Sequence, residues 1–419
     1  MASLKHGNGS CQYWGIAGDS YPHNPENSRR LCYERFAPHF LRSEKWDVPN
    51  PSDSSRFSDD PYMVSICSDL IRRAPDELNP LMKRTFVGNV GGYGLDVSAS
   101  LNYGYPQILL AIPLEPMIRA MGGAWEASLT QLRFKKTGLY DPPGVVVEKL
   151  QGVDLDFRMV THDPEVWLRV AGIIAAQTGH WSAANDDPIH FQVRDAFVFA
   201  KKLLRVLEDH ESSWQSERRA RRERCSYAWI LGHEYAHLLL GHTSDGSGGQ
   251  PESSSSVSAA ADYLSTFLGP SGIEELSEIE THYGRSPREE LEADALGLRF
   301  GVFNQIQTEG SHALAETQVA FEGVAVALLA IARASPTGIH SNTEHHPATL
   351  LRLQRAQQIF RRFRHSIGTV EYDEEGPFGP GFLNRLESTF EFLGEHLTRN
   401  ITSYEIDNDG PSTRSAAYS

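Results

Sequence analysis

Residues 229–242 read WILGHEYAHLLLGH, and this stretch decides the fold of the second half of the chain. Apolar side chains surround its few polar ones, which is the pattern of a helix that runs through a domain core. His233 and His237 are four residues apart and therefore lie one turn apart on one helix face. Polar side chains inside such a helix cost free energy unless a partner satisfies them. A metal ion bound by both imidazoles would do so, and the alternative is two packed histidines without a ligand.

Glu234 follows the first histidine and completes the pattern HExxH. Its side chain lies about 100° round the helix from that of His233, so it can reach a water on the ion without being a ligand. The pattern is typical of Zn²⁺ sites in which the metal lowers the pKa of a water molecule. We therefore expect Glu234 to accept the proton of that water as the general base.

A catalytic zinc ion needs a third protein ligand and an open position. The extended pattern HExxHxxGxxH does not fit, because Leu240 and Thr243 stand where its glycine and third histidine would be. The next candidate segment is residues 287–300, PREELEADALGLRF, which places Glu290 and Asp294 one turn apart on a predicted helix. Glu290 would be the third ligand, and Asp294 would accept the spare ring N–H of a ligand histidine.

Other glutamates of this segment compete for the ligand role. Glu289 and Glu292 are equally acidic, but neither has an acidic residue four positions later. A solvated acidic helix face is the alternative interpretation of the whole segment.

These motifs together resemble a known group of proteins. HExxHxxxxH from His233 to His242, followed by ExxAD from Glu290, resembles the glutamate-zincins (gluzincins). Within that group it is similar to soluble relatives of the CAAX prenyl endopeptidases and heat-shock membrane peptidases, and the phage-exclusion peptidases share a similar layout. His346 and Pro347, with Arg352 six residues after the histidine, resemble the HPxxxxR element of the same family. The resemblance covers roughly residues 215–360.

The resemblance implies a zinc endopeptidase that acts on a protein or peptide substrate. It implies that His233, His237 and Glu290 hold the metal and that Glu234 is the base. His346 and Arg352 would line or brace the substrate cleft, and His346 would be placed to stabilise an oxyanion. The alternative for His346 is a place in the N-terminal cap region of the helix predicted over residues 347–363.

The fold class expected from the sequence is α+β, with a mixed N-terminal region followed by a mostly α-helical zincin catalytic domain. We place the mixed region at residues 1–185, the helical domain at 186–398 and a disordered polar tail at 399–419. Strand-like patterns cover residues 86–97 and 107–113. Helical patterns cover residues 189–210, 213–240, 259–267, 287–306, 316–334, 347–363 and 381–397.

The composition of the chain limits the classes of partner and the cellular compartment that we expect for the protein. The formal charge of −15 over 419 residues argues against nucleic acid as a partner. Residues 217–224, ERRARRER, are the basic exception, and we interpret them as a solvated helix face with local ion pairs rather than a dock for an acidic partner. Four cysteines without a CxxC pair favour a reducing, cytoplasmic compartment.

The longest apolar stretch, residues 324–332, is too short for a membrane span and predicts a buried helix. Two other functions remain compatible with the motifs. One is a regulated defence or toxin-type protease effector controlled by residues 1–185. The other is a different hydrolase, or a catalytically degenerate zinc-binding module, on the same scaffold. Nothing in the sequence predicts the oligomeric state.

Overall fold

The computed structural model describes ten stretches of the chain and two groups of isolated helical residues. The stretches are residues 2–6, 9–13, 61–90, 97–102, 105–111, 114–137, 213–243, 254–306, 312–334 and 347–367. The isolated residues lie between 164 and 174 and between 204 and 208. The predicted helix over 381–397, the predicted tail and the boundary at residue 185 lie outside this part of the chain.

The described part of the chain is mostly helical, and its strands all lie before residue 112. The first elements are β1 (Ala2–His6), β2 (Gly9–Tyr13), α1 (Pro61–Arg73), α2 (Asn79–Arg84), β3 (Phe86–Val90), β4 (Val97–Asn102), β5 (Tyr105–Ala111) and α3 (Leu114–Thr137). They are followed by α4 (Ser213–Leu239), α5 (Ser254–Tyr283), α6 (Arg285–Gly297), a π-helical turn (Leu298–Val302), a 3₁₀ turn (Phe303–Gln305), α7 (His312–Ala334) and α8 (Thr349–Ile367).

The strands form two small sheets. β1 and β2 make an antiparallel hairpin. The second sheet has the order β3-β5-β4, in which β5 runs parallel to β3 and antiparallel to β4. Val87 and Ala99 lie on either side of Ile108, which is fully buried. β4 is thus an edge strand among the described strands, and it packs against α4.

Helix α4 is the centre of the helical part, since α1, α3, α6 and α7 all pack against it. Its apolar residues form one core with those of the neighbouring helices. In α7 the side chains from Val324 to Ala330 are at most 1 % exposed, which confirms the prediction of a buried helix. None of the described helices has the length and apolar character that crossing a membrane requires.

Helix α5 is longer than its predicted range of 259–267. The pattern ends there because Gly269 and Pro270 are typical breakers. In the structure they form a kink, with Gly269 at φ 69°, and helical geometry resumes as far as Tyr283.

The prediction that residues 217–224, the basic run in α4, form a solvated helix face is wrong for part of the run. Arg222 is 1 % exposed and bonds to Glu322 at 3.2 Å, to the Gly122 carbonyl at 3.0 Å and to Glu126. The exposed pair of Arg221 with Glu217 does follow the prediction of local ion pairs. The run therefore ties α4 to α3 and α7 through buried charge.

Candidate metal centre

The two histidines of α4 face each other across one turn of the helix. Their ring centroids are 4.7 Å apart and the rings are nearly perpendicular, at 82°. The Nε2 atoms of His233 and His237 are 3.0 Å apart. Helical spacing alone accounts for this arrangement, because residues four apart lie above one another on one face.

Glu290 of α6 brings a carboxylate to both rings. Its Oε2 lies 3.6 Å from His233 Nε2, and its Oε1 lies 3.4 Å from His237 Nε2. One donor atom from each of the three residues falls within 4.8 Å of the others, and this trio is the candidate metal-binding group within the described residues. Two imidazoles, one buried and one half-buried, with one buried carboxylate can hold a metal ion.

Three glycines allow α6 to approach α4 closely enough for this contact. A Cβ on Gly297 would lie 2.8 Å from the backbone nitrogen of His233. A Cβ on Gly301 would lie 2.1 Å from the carbonyl oxygen of Ala228, and one on Gly232 would lie 3.0 Å from the carbonyl oxygen of Gly297. Because the two backbones nearly touch, the short carboxylate side chains of α6 can reach the rings of α4.

Asp294 stands behind His233. Its Oδ1 is 2.9 Å from His233 Nδ1, which is within ion-pair distance. Arg352 of α8 donates to both oxygens of Asp294, at 2.8 and 2.6 Å, and is itself buried. Burial alone would raise the pKa of Asp294, but the Arg352 guanidinium outweighs it and lowers that pKa. An ionised Asp294 therefore orients His233 with Nε2 towards the trio.

Glu290 also changes the protonation of His237. Burial alone would lower the pKa of His237, but the hydrogen bond and the negative charge of Glu290, with added charge from Glu234, raise it above its ordinary value. A proton and a metal ion therefore compete for the same Nε2 atom.

Glu234 is 7 % exposed and lies near enough to His237 and Arg352 for its charge to act on both. Within the described residues it forms no hydrogen bond and no ion pair. No described protein group therefore engages the Glu234 carboxylate, which leaves its oxygens available to a water molecule beside the trio.

The competing glutamates of α6 do not join the trio. Glu289 pairs with Arg285 at the exposed start of α6. Glu292 bonds to His242 at 3.1 Å and to Arg288 at 2.8 Å. The alternative of a solvated acidic face does not fit Glu290 or Asp294, since both are buried.

The remaining candidates have different positions. His346 lies outside the described residues, whereas Arg352 is 5 % exposed and braces Asp294. Tyr235 is fully buried and lies against Cys67 of α1. Cys67 is itself in the core, and its burial raises the pKa of its thiol to about 12. Tyr235 is thus a core residue on the far side of α4 from the trio.

The donor set fits a divalent transition metal. Both histidines present Nε2 to the trio. On the other side of the rings, His233 Nδ1 lies 2.9 Å from the Asp294 carboxylate and His237 Nδ1 lies 3.2 Å from His242 Nδ1, where ligand histidines usually have polar neighbours. Two imidazoles and one carboxylate are a known ligand set for catalytic zinc.

Comparison of the chain with protein-family models, curated proteins and solved structures finds no match.

Two features of the site were missed from the sequence. The first is the glycine pair Gly297 and Gly301, whose spacing of four residues signals close backbone approach on one helix face. The second is His242 with Glu292, for which Gly241 before the histidine was an available signal of a helix end.

Proposed function

We propose that this protein is a zinc-dependent endopeptidase, with His233, His237 and Glu290 as the ligands and Glu234 as the general base. Three protein ligands leave an open coordination position, which a catalytic zinc site requires and a closed structural site lacks. The observation that carries the proposal is Glu234, a buried carboxylate without a hydrogen-bond or ion-pair partner among the described residues, next to the trio.

Each side chain then has a role in hydrolysis. Bound zinc supplies Lewis acidity towards a carbonyl oxygen and lowers the pKa of water. Glu234 takes a proton from the attacking water and passes it to the departing amine nitrogen. Asp294 and Arg352 hold His233 in place, so that the site is organised before the substrate arrives.

The motif resemblance favours a peptide bond over other hydrolysable bonds as the target. HExxH from His233 and ExxAD from Glu290 are together similar to the gluzincins, which hydrolyse peptide bonds.

The proposal is tested with wild type and Glu234→Gln, together with Glu289→Gln as a matched control at the exposed start of α6. Metal content is measured by mass spectrometry, and cleavage of a mixed proteome by labelling of new N-termini. We expect one zinc per chain in all three proteins, and new N-termini with wild type and Glu289→Gln only.

Equal cleavage by Glu234→Gln and wild type would remove Glu234 from the mechanism. Zinc uptake without cleavage by any of the three proteins would instead favour a zinc-binding module.

A further inference from the structure

His242 lies just beyond α4, and a helix-ending motif turns it back towards the site. Gly241 has φ 70°, in the left-handed region that favours glycine. The His242 N–H donates to the His237 carbonyl at 2.9 Å, and the Gly241 N–H donates to that of Leu238 at 3.4 Å. These two bonds define a Schellman motif, which reverses the chain at the end of a helix. The His242 side chain is consequently 7 % exposed and packed beside His237.

The His242 ring connects His237 to a carboxylate of α6. Its Nδ1 is 3.2 Å from His237 Nδ1, with ring centroids 5.3 Å apart. Its Nε2 is 3.1 Å from Glu292 Oε2. Arg288 donates to the other oxygen of Glu292 at 2.8 Å and pairs also with Glu280. An unbroken line of contacts therefore runs from His237 through His242 and Glu292 to Arg288, the residue of α6 that also pairs with Glu280 of α5.

Proton positions along this line follow from one assumption, that His237 Nε2 binds the metal. A neutral imidazole bound through Nε2 carries its hydrogen on Nδ1 and needs an acceptor there. The neighbouring atom is His242 Nδ1, so that atom must be unprotonated. The hydrogen of His242 is then on Nε2, where the Glu292 carboxylate accepts it. Every ring nitrogen on the line has one defined role.

We propose that His242 and Glu292 are positioning residues that fix the tautomer and orientation of His237 as a metal ligand. This inference depends on the metal site of the proposed function. Each of the two ligand histidines would then be held in place by its own partners on the side of the ring away from the metal. His233 is supported directly by Asp294, whereas His237 is supported through a second imidazole. Outer partners of this kind typically change metal affinity by about 10–100-fold when they are removed.

The relay of His242 and Glu292 is tested by zinc affinity in competition with chelators of known strength. His242→Phe keeps a ring but removes both nitrogens, so we expect zinc to bind about 10–100-fold more weakly. His242→Gln keeps one acceptor and one donor on a side chain of similar reach, and we expect it to restore most of the affinity. Glu292→Gln removes the carboxylate that accepts from His242, so we expect it to weaken zinc binding. We expect no change of zinc affinity in Glu289→Gln.

A second readout separates positioning from folding. The visible spectrum of the cobalt-substituted protein reports the geometry around the metal, and thermal unfolding of the metal-free protein reports stability. We expect His242→Phe to change the spectrum while the metal-free protein unfolds at a temperature close to that of wild type.

Three outcomes would overturn the inference. Wild-type zinc affinity in both His242→Phe and Glu292→Gln would show that the relay does not act on the metal. Equal losses in His242→Gln and His242→Phe, matched by equal losses of metal-free stability, would reduce His242 to a packing residue. If wild type itself bound no zinc, this inference and the proposed function would fail together.

Discussion

Asp294 shows at the residue scale how one carboxylate serves two neighbours. It receives both hydrogen bonds of the buried Arg352 guanidinium and lies 2.9 Å from His233 Nδ1. The guanidinium carbon of Arg352 also lies 5.7 Å from the centroid of the Trp229 ring, and this contact keeps the cation close to α4. The carboxylate thus compensates a buried cation and faces His233, a proposed metal ligand, at the same time.

Asp294→Asn should therefore weaken both functions. The Asn carbonyl can still accept from His233, but its NH₂ group would face the Arg352 donors without a charge to balance them. We expect a loss of about 3–5 kcal/mol in unfolding free energy, the usual cost of removing one partner of a buried ion pair. We also expect zinc affinity to fall by about 10–100-fold.

Urea unfolding of the metal-free protein and chelator competition measure the two effects of Asp294→Asn separately. Glu289→Gln is the control, because among the described residues its carboxylate pairs with Arg285, which is 77 % exposed. Wild-type zinc affinity in Asp294→Asn would contradict the orienting role of Asp294.

At the scale of elements, the crossing of α4 and α6 determines whether Glu290, the proposed third ligand, reaches the histidines. Gly301, in the π-helical turn after α6, has no space for a side chain because Ala228 carbonyl oxygen would be 2.1 Å from its Cβ. Backbone atoms cannot rotate away as a flexible side chain can, so a larger residue must push the two helices apart.

Gly301→Ala is accordingly expected to destabilise the fold by about 1–3 kcal/mol, the usual cost of overpacking a core. Because the helices separate, Glu290 should move away from the two imidazoles and zinc affinity should fall as well. Gly122→Ala is the matched control, since its Cβ would meet Arg222 at 4.0 Å, an ordinary contact. Urea unfolding and zinc titration of both variants check this prediction, which fails if the two variants behave alike.

Local spacing explains which of these elements could be predicted. The four-residue steps from His233 to His237 and from Glu290 to Asp294 place side chains on one face of a helix whatever the tertiary structure. The partners of Arg222 could not be found in this way, because Glu126 and Glu322 are 96 and 100 residues away in the chain. The pairing of Arg352 with Asp294 could likewise not be predicted, because the sequence indicates a role for each residue but not the contact between them.

At the scale of the whole molecule, the chain combines a net charge of −15 with a cluster of buried acids around the trio. Glu234, Glu290 and Asp294 lie together in the core, and Arg352 is the buried cation that faces them. A divalent cation would reduce the repulsion among these carboxylates, so metal binding should be coupled to the stability of the fold. The stabilisation should depend on pH, because protons compete for the same groups.

The protonation of His237 determines whether the stabilisation by zinc increases or decreases with pH. Its pKa in the metal-free folded protein is raised above 6.5 by Glu290, so its protonation stabilises the metal-free fold at low pH. That contribution is complete below the pKa of the unfolded chain and is lost as the pH rises through the folded pKa. Zinc must displace this proton at low pH but not at high pH. The increase in melting temperature caused by zinc should therefore be larger at pH 8 than at pH 6, and its decline should begin above pH 6.5.

Thermal unfolding with chelator-buffered zinc, at a series of pH values and constant free metal, measures this difference. Each proton displaced lowers zinc affinity about tenfold per pH unit below the folded pKa, which corresponds to about 1.4 kcal/mol. His282→Gln is the control, because His282 is exposed on α5 and its bond within the described part of the chain is to the Glu278 carbonyl of its own helix. The same zinc-induced shift at pH 6 and pH 8 would mean that no proton leaves the site when the metal enters, and His237 would then not be a ligand.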